Sequence, residues 1–253
     1  MIGEIDMSLL SLEDIGLTYF SADGETKALD GINIDIEDGE FVSIVGPSGC
    51  GKTTILHLIS GLLSPTTGKI VHNSKDDNSF IGYMFQKDNL FEWRTIANNV
   101  YIGLELQNKK TKENIDYANS LLKKYNLWEF RDKYPRELSG GMRQRVALIR
   151  TLALRPSILL LDEAFSALDY QTRLTVCDDV YDIIKKEKLT AILVTHDLGE
   201  AISLSDRIII LSHRPAKVKK DILLKFNEEK TPLEKRQSML AKKYFDIIWE
   251  DLK

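Results

Sequence analysis

Eight consecutive residues, Gly46-Pro47-Ser48-Gly49-Cys50-Gly51-Lys52-Thr53, fit the spacing G-x-x-x-x-G-K-[ST], whose chemistry is that of a polyphosphate cradle. Glycines let the backbone curl with its N–H groups inward, and the helix start that follows adds partial positive charge. Lys52 reaches toward terminal phosphates. The hydroxyl of Thr53, with Thr54 beside it, suits Mg²⁺, which keeps most of its own water and accepts few protein oxygens. Cys50 reads as a small residue that fits the loop. A second set of groups comes from Asp162 and Glu163, which end the apolar run Ile158 to Leu161. Asp162 is suited to hold Mg²⁺ through water. Glu163 is suited to orient the attacking water or take its proton, since phosphoryl transfer depends on positioning and charge stabilisation. A third segment, Leu138-Ser139-Gly140-Gly141-Met142-Arg143-Gln144-Arg145, opens a helix with two glycines and a serine hydroxyl, making Ser139, Gly140 and Gly141 a second anion site.

Positioning these groups takes strands that end at the sites and helices that start there. Phe41 to Val45, Ile158 to Leu161, Ala191 to Val194 and Ile208 to Leu211 are short apolar blocks with polar flanks, the pattern of central parallel strands covered on both faces. Ile32, Ile34 and Ile36 alternate strictly, and with Leu12, Ile15, Leu17 and Tyr19 they predict a strand-rich N-terminal region with one wet face, closed by the Asp38-Gly39 turn. Phe80 to Phe85 reads as a further strand that delivers Gln86. Helical spacing falls on Thr53 to Ser60, Met142 to Leu154 and Tyr170 to Lys188. Strands alternating with helices predict an α/β fold. The charged, helically periodic stretch from about Thr95 to Lys133 predicts a helical lobe inserted between core strands. After Leu211 the chain predicts a strand from Lys217 to Phe226 and a helix from Pro232.

Composition excludes several classes. The 253 residues are 43% hydrophobic and 28% charged, which argues against disorder. No unbroken apolar run exceeds four residues, against roughly 18 needed to cross a bilayer. No Lys or Arg precedes Lys27 and the start is acidic, so a secretory signal is not expected and the chain is placed in the cytoplasm. The two cysteines, Cys50 and Cys177, stand far apart without metal-ligand spacing and read as free thiols. Net charge is −4, but the segment from Arg214 onward is +4 with acids interleaved among its bases, the pattern of a solvated surface; no nucleic-acid partner is expected.

The first two motifs say only P-loop NTPase. With Leu138-Ser139-Gly140-Gly141 some twenty residues before the Asp-Glu strand, the sequence resembles the ATP-binding cassette (ABC) ATPase family from about Leu12 to Leu211. The resemblance implies a P-loop core with a mainly parallel sheet, an antiparallel N-terminal β region and an inserted helical lobe. On that reading 1–253 is one ABC ATPase domain, 95–150 a helical subdomain within it and 212–253 a C-terminal extension. It implies further roles: Tyr19 as the aromatic on adenine, Gln86 as the glutamine touching Mg²⁺ and the attacking water, Ser166-Ala167-Leu168-Asp169 as the loop crossing to a second cassette, and His196 as the switch histidine at the γ phosphate. Lys52, Gln86, Glu163 and His196 are then catalytic. Ala164 departs from the family, which commonly has proline there. His57, His72 and His213 match nothing and read as structural.

The family implies a head-to-tail pair in which Ser139, Gly140 and Gly141 of one copy cover ATP held by the other. It also implies separate transmembrane permease subunits, met around Phe91 and Trp93, at the cytoplasmic face of the membrane. Asp162 to Arg173, His196-Asp197, Glu200-Ala201, Asp206-Arg207 and Arg214-Pro215 are similar to cassettes of nitrate, sulfonate and taurine importers, which work with a solute-binding protein. The alternative reading is a soluble ATPase of the same family acting on ribosomes or nucleic acid. Such proteins usually carry two cassettes or a long coiled-coil insertion, and neither is present. A nucleotide-binding regulator without turnover is disfavoured by the presence of both Glu163 and His196.

Overall fold

The computed structural model describes residues 8–22, 24–73, 81–226 and 230–253. In chain order the elements are β1 (Leu10–Ser21), β2 (Gly24–Ile36), β3 (Phe41–Val45), α1 (Lys52–Ile59), β4 (Thr67–His72), β5 (Ile81–Met84), α2 (Ile96–Leu106), α3 (Lys112–Lys124), α4 (Gly140–Leu152), β6 (Ile158–Asp162), α5 (Tyr170–Glu187), β7 (Thr190–Val194), α6 (Leu198–Leu204), β8 (Arg207–Leu211), β9 (Val218–Leu223), α7 (Pro232–Gln237) and α8 (Met239–Leu252). They form two compact units, Met1–Ser79 with Lys188–Lys253, and Phe80–Glu187.

In the first unit β1 pairs antiparallel with β2, Leu10 opposite Ile36, and with β4, Leu12 opposite Ile70. The alternating isoleucines of β2 are buried, as period-two patterning requires of a strand with one wet face. β3 lies between two parallel neighbours, with Val42 opposite Ile192 of β7 and Ile44 opposite Ile209 of β8. β9 runs antiparallel beside β8. All five residues of β3 and of β7 are buried, so their apolar blocks need cover on both faces. Part of that cover comes from α6 and α8, where Ala201, Ile202, Ala241 and Ile248 pack against Val45, Ile208 and Ile210. Each buried Val or Ile side chain among them contributes about 1.5–3 kcal/mol.

In the second unit β5 and β6 pair in parallel, with Met84 opposite Leu161. Among the described residues four α-helices accompany them. Thr95, Thr111 and Ser139 cap α2, α3 and α4 by accepting the N–H of Asn98, Asn114 and Met142, which is why those helices start where they do. α4 carries Val146, Ala147, Leu148 and Ile149 into the unit's core. Gly103 and Gly82 let chains approach closely: a Cβ at Gly103 would stand 2.7 Å from Leu154 Cδ1, and one at Gly82 2.4 Å from Thr151 Cγ2.

The expected α/β class is what the structure has, with parallel strands and a separate antiparallel N-terminal sheet. Some boundaries differ. The strand expected from Phe80 is β5, Ile81–Met84, and Phe80 itself lies outside the described residues. The C-terminal strand is shorter than Lys217 to Phe226. The helix from Pro232 is two helices, because Ser238 is extended and its hydroxyl accepts from Ala241 N at 3.1 Å, starting α8 afresh. Among the described residues no helix is long and apolar enough to cross a membrane.

Candidate nucleotide site

The loop between β3 and α1 is built as a cradle. Gly49 and Gly51 have φ of +70° and +120°, values that side chains rarely adopt. A Cβ on Gly51 would also stand 2.8 Å from Leu29 Cδ2. Gly51 is the N-cap of α1 and brings no side chain to the helix start, and α1 has no acid in its first turn, so its positive end is not neutralised from within. Lys52 is buried, and its ammonium donates to Gly46 O at 2.9 Å and Pro47 O at 3.0 Å. Two neutral carbonyls leave that charge in force for an anion. Tyr19, half exposed, hydrogen-bonds through its hydroxyl with Thr54 Oγ1 at 3.3 Å, so the expected adenine aromatic and the end of the cradle are neighbours.

His196 belongs to the same unit, in the bend between β7 and α6, and is exposed. Its neighbours fix the bend. Thr195 donates its hydroxyl to Glu200 Oε2 at 2.7 Å, Asp197 N–H donates to Thr195 Oγ1 at 3.0 Å, and Asp197 caps α6.

The second unit assembles the other expected groups. Asp162 ends β6 and accepts the Tyr83 hydroxyl on Oδ2 at 2.9 Å. Burial first, then the Asp162 charge, pushes the Tyr83 phenol far up, so it stays a donor. Glu163 follows with φ +47°, a left-handed conformation uncommon outside glycine, which turns the chain directly after Asp162. Gln86 donates Nε2 to Ser166 Oγ at 3.0 Å, and Ser166 Oγ donates to Glu163 O at 3.0 Å. Gln86, Asp162, Glu163 and Ser166 are thus one neighbourhood, joined through backbone and hydrogen bonds. Ala164 in the family's proline position is fully buried.

Ser139 caps α4, Gly140 is exposed and Gly141 is buried. Gly141 also has a packing reason to be small: a Cβ would stand 3.0 Å from Thr172 and Val176 methyls of α5. α4 in turn grips the segment after Gln86. Arg143 donates Nε to Asp88 Oδ2 at 2.9 Å, Nη2 to Asp88 Oδ1 at 3.1 Å and Nη2 to Glu92 Oε1 at 2.7 Å. Arg150 donates to the carbonyls of Asn89 and Asp88, both at 2.7 Å, and Gln144 to Gln86 O at 3.3 Å. Burial disfavours the Asp88 charge, but Arg143 and the Leu90 N–H outweigh it and hold the carboxyl below its usual range. Asn99, fully buried, bonds Phe91 N and O, Arg94 O and Thr95 O. Phe91 and Trp93 stack tilted at 5.0 Å, with Trp93 74% exposed. Neither Tyr83 nor the Arg143 grip was expected from sequence. A tyrosine three positions before Gln86 was the available signal for the first.

Among the described residues no three His, Cys, Asp or Glu side chains group to hold a metal. The hydroxyl of Thr53 in the first unit and the carboxylate of Asp162 in the second are each a hard oxygen donor of the kind Mg²⁺ accepts.

The chain was compared with known proteins. The family described as ABC transporter matches residues 29–166, more than half of the chain. The uncharacterized ABC transporter ATP-binding protein YtlC of Bacillus subtilis (strain 168) is 44% identical over 250 residues, 97% of this chain and 96% of that protein. The nitrate import ATP-binding protein NrtD of Synechocystis is 40% identical over 227 residues, 88% and 85% of the two chains. The taurine import ATP-binding protein TauB of Jannaschia is 36% identical over 250 residues, 97% and 93% of the two. Among solved structures, the dimeric post-hydrolysis state of the ATP-binding cassette MJ0796 bound to ADP and Pi superposes with a TM-score of 0.70 at 32% identity, covering 86% of this chain and 99% of that one. The expected family and ATP-hydrolase activity are therefore borne out: the chain belongs to the ABC transporter family, as an ATP-binding, ATP-hydrolysing subunit.

Proposed function

We propose that two copies of this chain close head to tail on ATP and drive the import of a small anion-type solute, of the nitrate, sulfonate or taurine kind, through separate transmembrane permease subunits. The observation that carries the nucleotide reading is the buried Lys52 ammonium set on neutral carbonyls, beside an uncompensated helix start. Gly46 to Thr54 then hold the phosphates and Tyr19 the base. Ser139, Gly140 and Gly141 cover the partner's nucleotide, since four phosphate charges need donors from both sides. Glu163 orients the attacking water and takes its proton, with Gln86 and His196 completing the set around the γ phosphate. Thr53, Gln86 and Asp162 would hold Mg²⁺, which when bound neutralises charge on the phosphate oxygens. On this reading 1–253 is one cassette with 95–150 as its helical lobe and 212–253 as an extension.

The exposed Trp93, with the half-buried Phe91 beside it, is the contact for the permease at the cytoplasmic face of the membrane, where the chain is peripheral. A solute-binding protein chooses the cargo. Similarity to NrtD and TauB supports the anion class.

The test is Glu163→Gln in light scattering and turnover. The variant is expected to bind ATP, to accumulate as dimers in ATP and to lose about 10²–10³ in rate. Full-speed hydrolysis by native chains at dilutions where only monomers scatter would overturn the paired arrangement. Cargo is tested by the membrane and solute-binding proteins that co-purify. Recovery on ribosomes or nucleic acid would reverse the assignment.

A further inference from the structure

The loop after β8 holds a cation with no role in the reading above. Arg214 is exposed, and its guanidinium Nη2 donates to the carbonyl of Gly49, inside the phosphate cradle, at 2.7 Å. The support behind it is firm. Ser212 N–H donates to Lys217 O and Lys217 N–H to Ser212 Oγ, both at 2.9 Å, closing the loop on itself. Ala216 N–H donates to Ala28 O at 2.8 Å and Asp30 N–H to Ala216 O at 3.0 Å, which ties the loop to β2, while Lys217 pairs with Asp30 at 2.9 Å. The cradle touches the same support: a Cβ on Gly46 would stand 3.1 Å from Leu211 Cβ at the end of β8.

What Arg214 grips decides what it does. In a trans peptide the carbonyl and the following N–H point opposite ways. With Gly49 O turned to Arg214, the Cys50 N–H must face the other side. It does so, donating to Pro47 O at 3.3 Å, the same oxygen that accepts Lys52 Nζ at 3.0 Å. The Cys50 N–H and the Lys52 ammonium therefore converge on one point, where a phosphate oxygen can take the place of a carbonyl. Gly49, on one side of this peptide, has the backbone freedom that helps it turn over, which a free loop would do part of the time.

We propose that Arg214 is a positioning residue for the nucleotide: its bond to Gly49 O locks the Gly49–Cys50 peptide so that the Cys50 N–H is presented beside Lys52 to a polyphosphate. The inference rests on the reading that residues 46–54 hold the phosphates of ATP. Preorganisation of this kind lowers the ordering cost of binding, so it acts on affinity and not on the chemical step.

The experiment uses the full chain with Arg214→Met, which keeps the stem and removes the donor, and Arg214→Lys, which keeps a charged donor. ATP and ADP binding are measured by titration calorimetry, with steady-state hydrolysis and the melting temperature without nucleotide alongside. Arg214→Met is expected to raise Kd and KM about three- to tenfold, the range of one charge-assisted bond discounted for exposure, with kcat within about twofold. Arg214→Lys should recover most of the loss, and the nucleotide-free melting temperature should not move. A purely structural role would lower that temperature and leave KM alone. An unchanged Kd in Arg214→Met, or equal losses in both variants, overturns the inference. Lys52→Ala separates the two levels. If it binds ATP normally, the phosphate-loop reading fails. If it loses ATP while Arg214→Met binds like the native chain, that reading stands and only the role of Arg214 falls.

Discussion

The grip of α4 on the segment after Gln86 can be weighed by a double-mutant cycle of Asp88→Asn and Arg143→Met. The Arg143 and Asp88 side chains are 25% and 19% exposed and meet through two hydrogen bonds of 2.9 and 3.1 Å. An exposed ion pair is worth about 0–1 kcal/mol, and a hydrogen bond to a charged group about 1.5–3 kcal/mol. A half-protected bidentate pair falls between, at a coupling of about 1–2 kcal/mol. The single variants should differ. In Asp88→Asn the new amide oxygen still accepts the Leu90 N–H, and Arg143 keeps Glu92, so that change should cost about 1 kcal/mol. Arg143→Met removes both ion pairs and leaves the Asp88 charge without them, at about 2 kcal/mol. Urea unfolding followed by circular dichroism gives the four free energies, and equal m values across the cycle license the subtraction. A coupling under about 0.3 kcal/mol would refute the argument that this pair fastens the Gln86 segment to the helix beginning at Gly140.

Three further outcomes are expected. Because the folded Asp88 pKa lies below the unfolded value of about 3.9, its stabilisation is fully present above that pH and is lost as pH falls through the folded pKa; the native-minus-Asp88→Asn difference should be flat from about pH 5 to 8 and shrink in stronger acid, and a difference that grows on acidification would contradict it. Gly68→Ala should cost about 3 kcal/mol or more in thermal unfolding, because φ is +82° and the new Cβ would stand 2.3 Å from Asp14 O and 2.4 Å from Glu13 O, whereas Gly39→Ala, at φ +74° with nothing within 4 Å, should cost about 1–2 kcal/mol; equal losses would count against the β1–β4 packing. Cys50 and Cys177 are 2% and 1% exposed, and burial raises the Cys50 thiol pKa against the lowering pull of Lys52 and Arg214, so an aromatic disulfide reagent at about pH 8 should label neither in the native chain and both after unfolding, with fast native labelling of Cys50 as the contrary result.

Much of this molecule was legible because its signals are local. Strands β3, β6, β7 and β8 announce themselves as apolar blocks, and a loop of three glycines and a lysine after one of them leaves little choice of chemistry. β4 leaves no sequence signal because its burial is slight: Thr67, Gly68 and Lys69 are exposed and only Ile70 and Val71 are partly covered, so no period stands out. The break at Ser238 was hidden because apolar residues continue at helical spacing across it, and only the serine's turn to capping restarts the helix. The Arg143 and Arg150 contacts span 51 to 62 residues of sequence, and no local pattern encodes a partner at that distance. Arg214 stands in a family-like dipeptide with Pro215, yet its partner Gly49 lies 165 residues earlier.

The placement of the tryptophans has a practical consequence. The chain has three, and none is in the core: Trp93 and Trp249 face solvent, and Trp128 lies under the cations of Lys123 and Arg131. Native emission should therefore be red-shifted and partly quenched before any denaturant is added, making it a poor gauge of unfolding. The same arrangement makes Trp93 a built-in optical reporter of docking, since whatever covers its ring must shift the emission to the blue.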